Sequence, residues 1–189
     1  MSKAKILFLS GSSRKGSLNQ QLARQAYRMA AEMDAEVTLI DLADYPMPLY
    51  DGDLESAEGI PGTVKALRDI LMAHNGICIA SPEYNGSFSP LLKNTIDWLS
   101  RPDGDVPALA AYHSKTAYLL STSPGSLGGI RGLVMLRMLL SNIGVMVMPD
   151  QLAIPAANQA FNGQGELTDN RQAELLQTQL RRFVAHLNR

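Results

Sequence analysis

Five short apolar runs, over residues 5–9, 36–40, 76–80, 116–120 and 145–148, alternate with amphipathic segments and carry Ile, Leu or Val with little polar interruption. A strand with one wet face alternates apolar and polar residues. Unbroken runs of this length instead belong to strands covered on both faces, and between helices that means a parallel sheet wrapped on two sides. The intervening segments carry their own boundary signals. Ser17 to Gln20 reads as a capping box for a first helix whose Leu18, Leu22, Ala26, Met29 and Met33 share one stripe. A second helix is expected over 61–74, opened by Pro61 with Val64, Leu67 and Leu71 inward, and a third opens at Ser89-Pro90, carries Leu92, Ile96 and Leu99, and stops before Pro102. A fourth is expected over 129–143. The last follows an Asp169 cap, with Ala173, Leu176, Leu180, Phe183 and Leu187 at helical spacing. The longest loops are expected at 43–60 and 149–167.

Composition narrows the partners. A chain of 189 residues that is 46% apolar can bury one substantial core, and with no repeat or linker in it one domain over 1–189 is expected. A formal charge of −1 with scattered Lys and Arg gives no basic face for a phosphate backbone, so nucleic acid is not expected as a partner. No run is long enough to cross a bilayer, and residues 1–10 lack a cleavage site, so no membrane partner and a cytoplasmic location are expected. Cys78 is the sole cysteine, which leaves no intrachain disulfide or dithiol pair. Any redox chemistry must therefore ride on a bound cofactor.

In an open parallel sheet ligands bind beyond the carboxyl ends of the strands, where the strand order reverses. With a doubly wound order of 2-1-3-4-5, the first, third and fourth strands are neighbours, and each is followed by a loop rich in Gly, Ser or Asn. The first loop, residues 11–19, runs straight into a helix start, and Ser12, Arg14, Ser17 and Asn19 add donors to the helix N–H groups for phosphate oxygens. Gly11 and Gly16 lack a following Lys, which excludes a nucleotide triphosphatase loop, and the Gly-x-Gly-x-x-Gly spacing is absent although Asp41 ends the second run. A single terminal phosphate is the simplest remaining ligand. The second loop joins Pro82, Tyr84 and an Asn85-Gly86 turn, suited to presenting backbone groups to the edge of a flat heterocycle. In the third, Gly125, Gly128 and Gly129 permit close backbone approach.

Gly11 to Asn19, then Pro82-Glu83-Tyr84-Asn85-Gly86-Ser87, then Gly128-Gly129-Ile130-Arg131 with Leu136-Arg137 downstream, resemble the NADPH-dependent FMN reductase family, which includes quinone, azo-dye and chromate reductases. The segment from Lys93 to Arg101 resembles that family's next helix. The resemblance implies a flavodoxin-like three-layer α/β fold with FMN as cofactor and NADPH or NADH as electron donor. It implies that Ser12, Arg14, Ser17, Leu18 and Asn19 hold the phosphate, that Pro82, Glu83, Tyr84, Asn85 and Gly86 line the ring, and that Ser121, Ser123, Gly128 and Gly129 approach the ribityl chain or ring edge. No side chain is expected to be catalytic. Hydride would pass through the flavin to a small-molecule acceptor (a quinone, azo compound, metal oxyanion or free flavin) in ping-pong fashion. Tyr84 and Arg101 are candidate substrate-site residues, Arg101 reading equally as a solvated charge or as a reach toward a neighbouring subunit. A homodimer or homotetramer is the implied assembly.

Two other classes share the loops. A non-enzymatic flavodoxin-type electron carrier would be markedly acidic for docking, which this chain is not, and a flavin-binding regulator would show no turnover. His74, His113 and His186 read as surface or terminal residues, Cys78 as core, and Trp98 with the methionines of 135–148 as core or subunit packing.

Overall fold

The computed structural model describes residues 3–189; Met1 and Ser2, part of the N-terminal run above, lie outside the described residues. The elements in chain order are β1 (Ala4–Ser10), α1 (Leu18–Ala31), β2 (Ala35–Leu39), α2 (Gly52–Glu58), α3 (Gly62–Met72) and β3 (Gly76–Ala80). There follow β4 (Glu83–Tyr84), β5 (Ser87–Phe88), α4 (Pro90–Leu99), β6 (Thr116–Thr122), α5 (Ile130–Asn142), β7 (Met146–Ile154) and α6 (Asn170–Leu187). The main sheet runs β2-β1-β3-β6-β7, parallel throughout. Counted among its own five strands, that is the expected 2-1-3-4-5 order, the flavodoxin-like arrangement.

Strand alternation feeds two apolar layers. Phe8 and Tyr118 face α1 and α6, where they meet Leu22, Leu180 and Phe183. Leu7 and Leu119 face the other way and meet Leu67, Leu92, Trp98 and Leu136 from α3, α4 and α5. Because both faces are covered, neither can be polar, which is why the runs read as continuous. The Trp98 indole donates to Pro48 O at 2.8 Å and meets the Tyr50 ring edge-on with centroids 5.0 Å apart. Asn94 completes this strap by accepting from Tyr50 N at 2.7 Å and donating to Pro48 O at 2.8 Å.

Several expectations need correction. Residues 149–154, expected in a loop, extend β7, and the register slips by two residues between Ala117 and Leu119, whose partners are Val147 and Gln151. Pro149 falls in that irregularity, where no ladder N–H is required of it. The loop expected at 43–60 contains α2, an exposed helix with no buried residue, capped by Asp51 and anchored where Arg101 Nε donates to both Glu55 oxygens at 2.9 Å. Only half of the capping box forms. Ser17 Oγ accepts from Gln20 N, but the Gln20 amide donates to Ser12 O and to Asp41 Oδ2 instead of turning back to Ser17. His74, expected as a surface or terminal residue, follows the end of α3 half-buried, with its ring nitrogens against Ile70 O and Thr38 Oγ1. Cys78 is buried in β3, and desolvation pushes its thiol well up, away from the thiolate. Met148 is in the core, whereas Met135, Met138 and Met146 are exposed.

Candidate active site

The three loops meet beyond β1, β3 and β6. Gly11 N donates to Ala80 O at 2.9 Å and Ser89 Oγ donates to Gly11 O, joining the first loop to the second and to the start of α4. Asn19 joins it to β6: the buried amide donates to Thr122 O at 2.9 Å and accepts from Thr122 N at 3.0 Å. The expected phosphate-donating amide of Asn19 is thus employed as a clasp between elements. An open cleft of about 210 Å³ lies between Ser12, Ser13, Arg14 and Tyr84, floored by Gly11 and Ser89.

At the start of α1 the donors are left over. Ser17 Oγ takes Gln20 N and Ser17 O takes Gln21 N at 3.1 Å, while Leu18 N and Asn19 N find no acceptor among the described residues. Those two N–H groups, with the partial positive charge of the helix start, suit an oxyanion. The hydroxyls of Ser12 and Ser17 are buried beside them, and the exposed Arg14 guanidinium only touches Lys15 O and Gly16 O at 3.4 Å, so it is free to swing onto a ligand. A hollow of about 230 Å³ on the other flank of α1, by Gln20 and Arg24, is lined by Asp41 and Asp44 and is the poorer seat for an anion.

The second loop is a two-stranded hairpin, β4 against β5, turning through Asn85 at φ 52° and Gly86 at φ 79°. Both angles are left-handed, as an Asn-Gly hairpin turn requires. Pro82 is buried at its base and Tyr84 is 50% exposed at its tip, on the cleft. The Glu83 carboxylate points the other way. Its Oε2 accepts from Arg131 N at 3.1 Å and Gly132 N at 3.2 Å, and its Oε1 accepts from Arg131 Nε at 2.8 Å. Burial pushes this carboxyl up, but the guanidinium and the two amides outweigh it and leave it below the usual range.

The third loop owes its glycines to its own packing. A Cβ on Gly128, at φ 61°, would fall 2.7 Å from Ile154 C, and one on Gly129, at φ 91°, would fall 2.9 Å from Ser121 Oγ. Ser121 Oγ is fully buried and donates to Gly128 O at 2.7 Å. The close approach inferred for a ligand is therefore, at Gly128, an approach to β7. Ser123, half-buried, donates its N–H to Ile154 O. Arg101 follows the far end of α4, about 15 Å of helix from the cleft, and is held by Glu55 and the Tyr50 ring within its own chain. Among the described residues no group of three or more His, Cys, Asp and Glu side chains is placed to hold a metal ion, and no helix is long and apolar enough to cross a membrane.

A flavodoxin-like sheet whose ligand edge offers an open helix start on one side and a hairpin on the other defines the class of protein. The family model for NADPH-dependent FMN reductase matches residues 4–159, and this chain belongs to that family. The quinone reductase of Escherichia coli K12 is 35% identical over 99% of this chain and 97% of its own length. An NAD(P)H-dependent FMN reductase of Pseudomonas aeruginosa is 34% identical over 93% of this chain and 91% of its own. Among solved structures, FerB of Paracoccus denitrificans, a flavoenzyme NAD(P)H:(acceptor) oxidoreductase, is similar with a TM-score of 0.81 and 30% identity, covering 99% of this chain and 98% of FerB.

Proposed function

We propose that this chain is a cytoplasmic NAD(P)H oxidoreductase, a single domain that holds FMN along the cleft and reduces quinones by a ping-pong route. The observation that carries the reading is the open first turn of α1, where Leu18 N and Asn19 N stand free beside the Ser12 and Ser17 hydroxyls. The residues fit a phosphomonoester: the cleft is lined by Ser12, Ser13 and Arg14 and by no carboxylate, and the 12–19 loop that forms this side leads directly into the α1 start with its Ser17 hydroxyl and its Leu18 and Asn19 N–H groups. FMN, when bound, supplies hydride acceptance from reduced nicotinamide and delivery of the electron pair to an oxidised acceptor.

The chain's own residues bind and orient. Pro82 and the peptide groups of Tyr84, Asn85 and Gly86 would line the ring, and Ser121, Ser123, Gly128 and Gly129, in a loop packed on β7 at Ile154, would stand by the ribityl chain or ring edge. No side chain here is asked to be acid, base or nucleophile, since FMN, when bound, would carry the chemistry and the protein would orient it. Tyr84, half exposed, shapes the space left for nicotinamide and acceptor in turn. The exposed apolar stripe of Val134, Met135 and Met138 on α5 supports assembly into a homodimer or homotetramer.

Titration of purified protein with FMN by calorimetry and by flavin fluorescence tests the first half. Initial rates with NADPH and NADH against a quinone, an azo dye, chromate and free FMN test the second, parallel double-reciprocal lines being the expected pattern. Colourless protein with no heat of FMN binding overturns the reading; FMN binding without turnover on any acceptor reduces it to a carrier.

A further inference from the structure

The first turn of α5 has a complete account of its N–H groups. Ile130 N donates to Leu127 O, Leu133 N to Gly129 O, and Arg131 N and Gly132 N to Glu83. The residue at the cap position is Gly129, which has no side chain to offer, so the carboxylate that an Asp would supply locally arrives from 48 residues upstream. Glu83 is 8% exposed in its side chain, while its partner Arg131 is 65% exposed, so the buried end of this contact is the cap and not the ion pair. Gly132 makes the seat possible: a Cβ there would lie 3.1 Å from Ser87 O and 3.2 Å from Glu83 Cβ. Both strands of the hairpin are therefore pressed onto the helix start, and the next residue after Glu83 is Tyr84, on the cleft.

We infer that Glu83 is a positioning residue: by capping α5 it fixes the hairpin tip of Tyr84, Asn85 and Gly86 against the Ser12–Arg14 side of the cleft, and its carboxylate acts through the helix and not on the cofactor. The inference rests on the FMN reading of the cleft, and it revises the ring-lining role that resemblance gives to the Glu83 side chain. A carboxylate beside a flavin ring would disfavour the anionic reduced form, whereas one spent on two amides and a guanidinium is turned away from that task.

The test uses three variants, Glu83→Gln, Glu83→Ala and Arg131→Ala, and two independent readouts. Hydrogen exchange on the protein freed of flavin reads the cap itself. Glu83→Ala is expected to speed exchange at Arg131, Gly132 and the hairpin by about tenfold, with α1 and α6 unmoved, and Glu83→Gln, which keeps an acceptor oxygen, is expected to restore most of the protection. FMN titration reads the positioning. The dissociation constant is expected to rise about tenfold in Glu83→Ala and to stay within about threefold in Glu83→Gln and Arg131→Ala, with the flavin midpoint potential of Glu83→Gln equal to that of the wild type. Loosened exchange with unchanged FMN affinity overturns the positioning role. A shifted potential in Glu83→Gln overturns it too, by putting the carboxylate on the flavin. Unchanged exchange in Glu83→Ala overturns the cap; if that variant does not fold, Glu83→Asp, whose carboxylate is one methylene short of the two amides, takes its place with the same losses expected in both readouts. Wild-type protein that shows the exchange pattern yet binds no FMN removes the flavin reading and leaves the cap standing.

Discussion

Two helices leave the same edge of the sheet, α1 after β1 and α5 after β6, and their first turns are finished in opposite ways. At α1 a local serine takes one N–H and two are left over; at α5 a distant carboxylate takes both that remain. Each helix start carries the same partial charge, so the dipole alone does not tell a ligand site from a packed one. What separates them is whether the chain has already supplied the acceptor. The same contrast holds for the glycines. Gly16, at φ 68°, has nothing near where a Cβ would stand, whereas Gly128 is wedged against the backbone of Ile154.

Substitutions can break that contrast. The largest expected effect is Gly128→Ala, which meets both a left-handed φ and immovable backbone; a loss of roughly 3 kcal/mol or more is expected in urea unfolding, against about 1–2 kcal/mol for Gly16→Ala. Equal losses would mean that the α5 approach is looser than its contacts state. Next comes Ser17→Asp, which gives α1 the carboxylate that α5 already has. The apoprotein should melt within about 2 °C of the wild type, since Asp caps as well as Ser, while FMN affinity should fall about 100-fold from like-charge contact. Undiminished affinity would place the phosphate elsewhere. Asn19→Ala should cost about 2 kcal/mol, because two buried peptide groups of Thr122 lose their partner, and should weaken FMN binding less than it weakens the fold, as its own N–H is kept.

Acid should act on one helix start more than the other. Glu83 has a folded pKa below its ordinary 4.5, so the unfolded chain binds the proton more readily and its contribution, full above that value, is lost as pH falls through the folded pKa. Protection at the α5 start, relative to the intrinsic exchange rate at each pH, should therefore fall as the pH drops below 4.5 and through the lower folded value, with the hydroxyl-capped α1 start unaffected by this group, and Glu83→Gln should flatten the pH response. The smallest effect belongs to Arg131→Ala, about 1 kcal/mol or less by thermal melting, since a mostly exposed guanidinium gains little from its partner.

What could be read from residues in order was whatever local chemistry decides. The five sheet strands, α1 and α3 to α6 announce themselves through apolar period and caps such as Ser89 and Asp169. α2 does not, because a helix with no buried residue has no period to show. The outer half of β7 was hidden behind Pro149 and Asp150, which look like a turn and are a strand irregularity. In the site, the donor-rich turn before α1 was legible. The task of Glu83 was not, since the N–H groups that donate to it lie 48 and 49 positions on, and neither was the Asn19 clasp, which spans 103. Gln20 shows the limit from the other side: a capping signal satisfied in the sequence is only half honoured when Asp41 competes for the amide.

Trp98 is the sole tryptophan of the chain, and it sits at the α4 strap, not on the cleft. Its emission is consequently an intrinsic optical gauge of whether the 43–60 segment is docked. A red shift would register undocking of Pro48 and Tyr50 from α4, in a wavelength window separate from flavin colour, with no label attached.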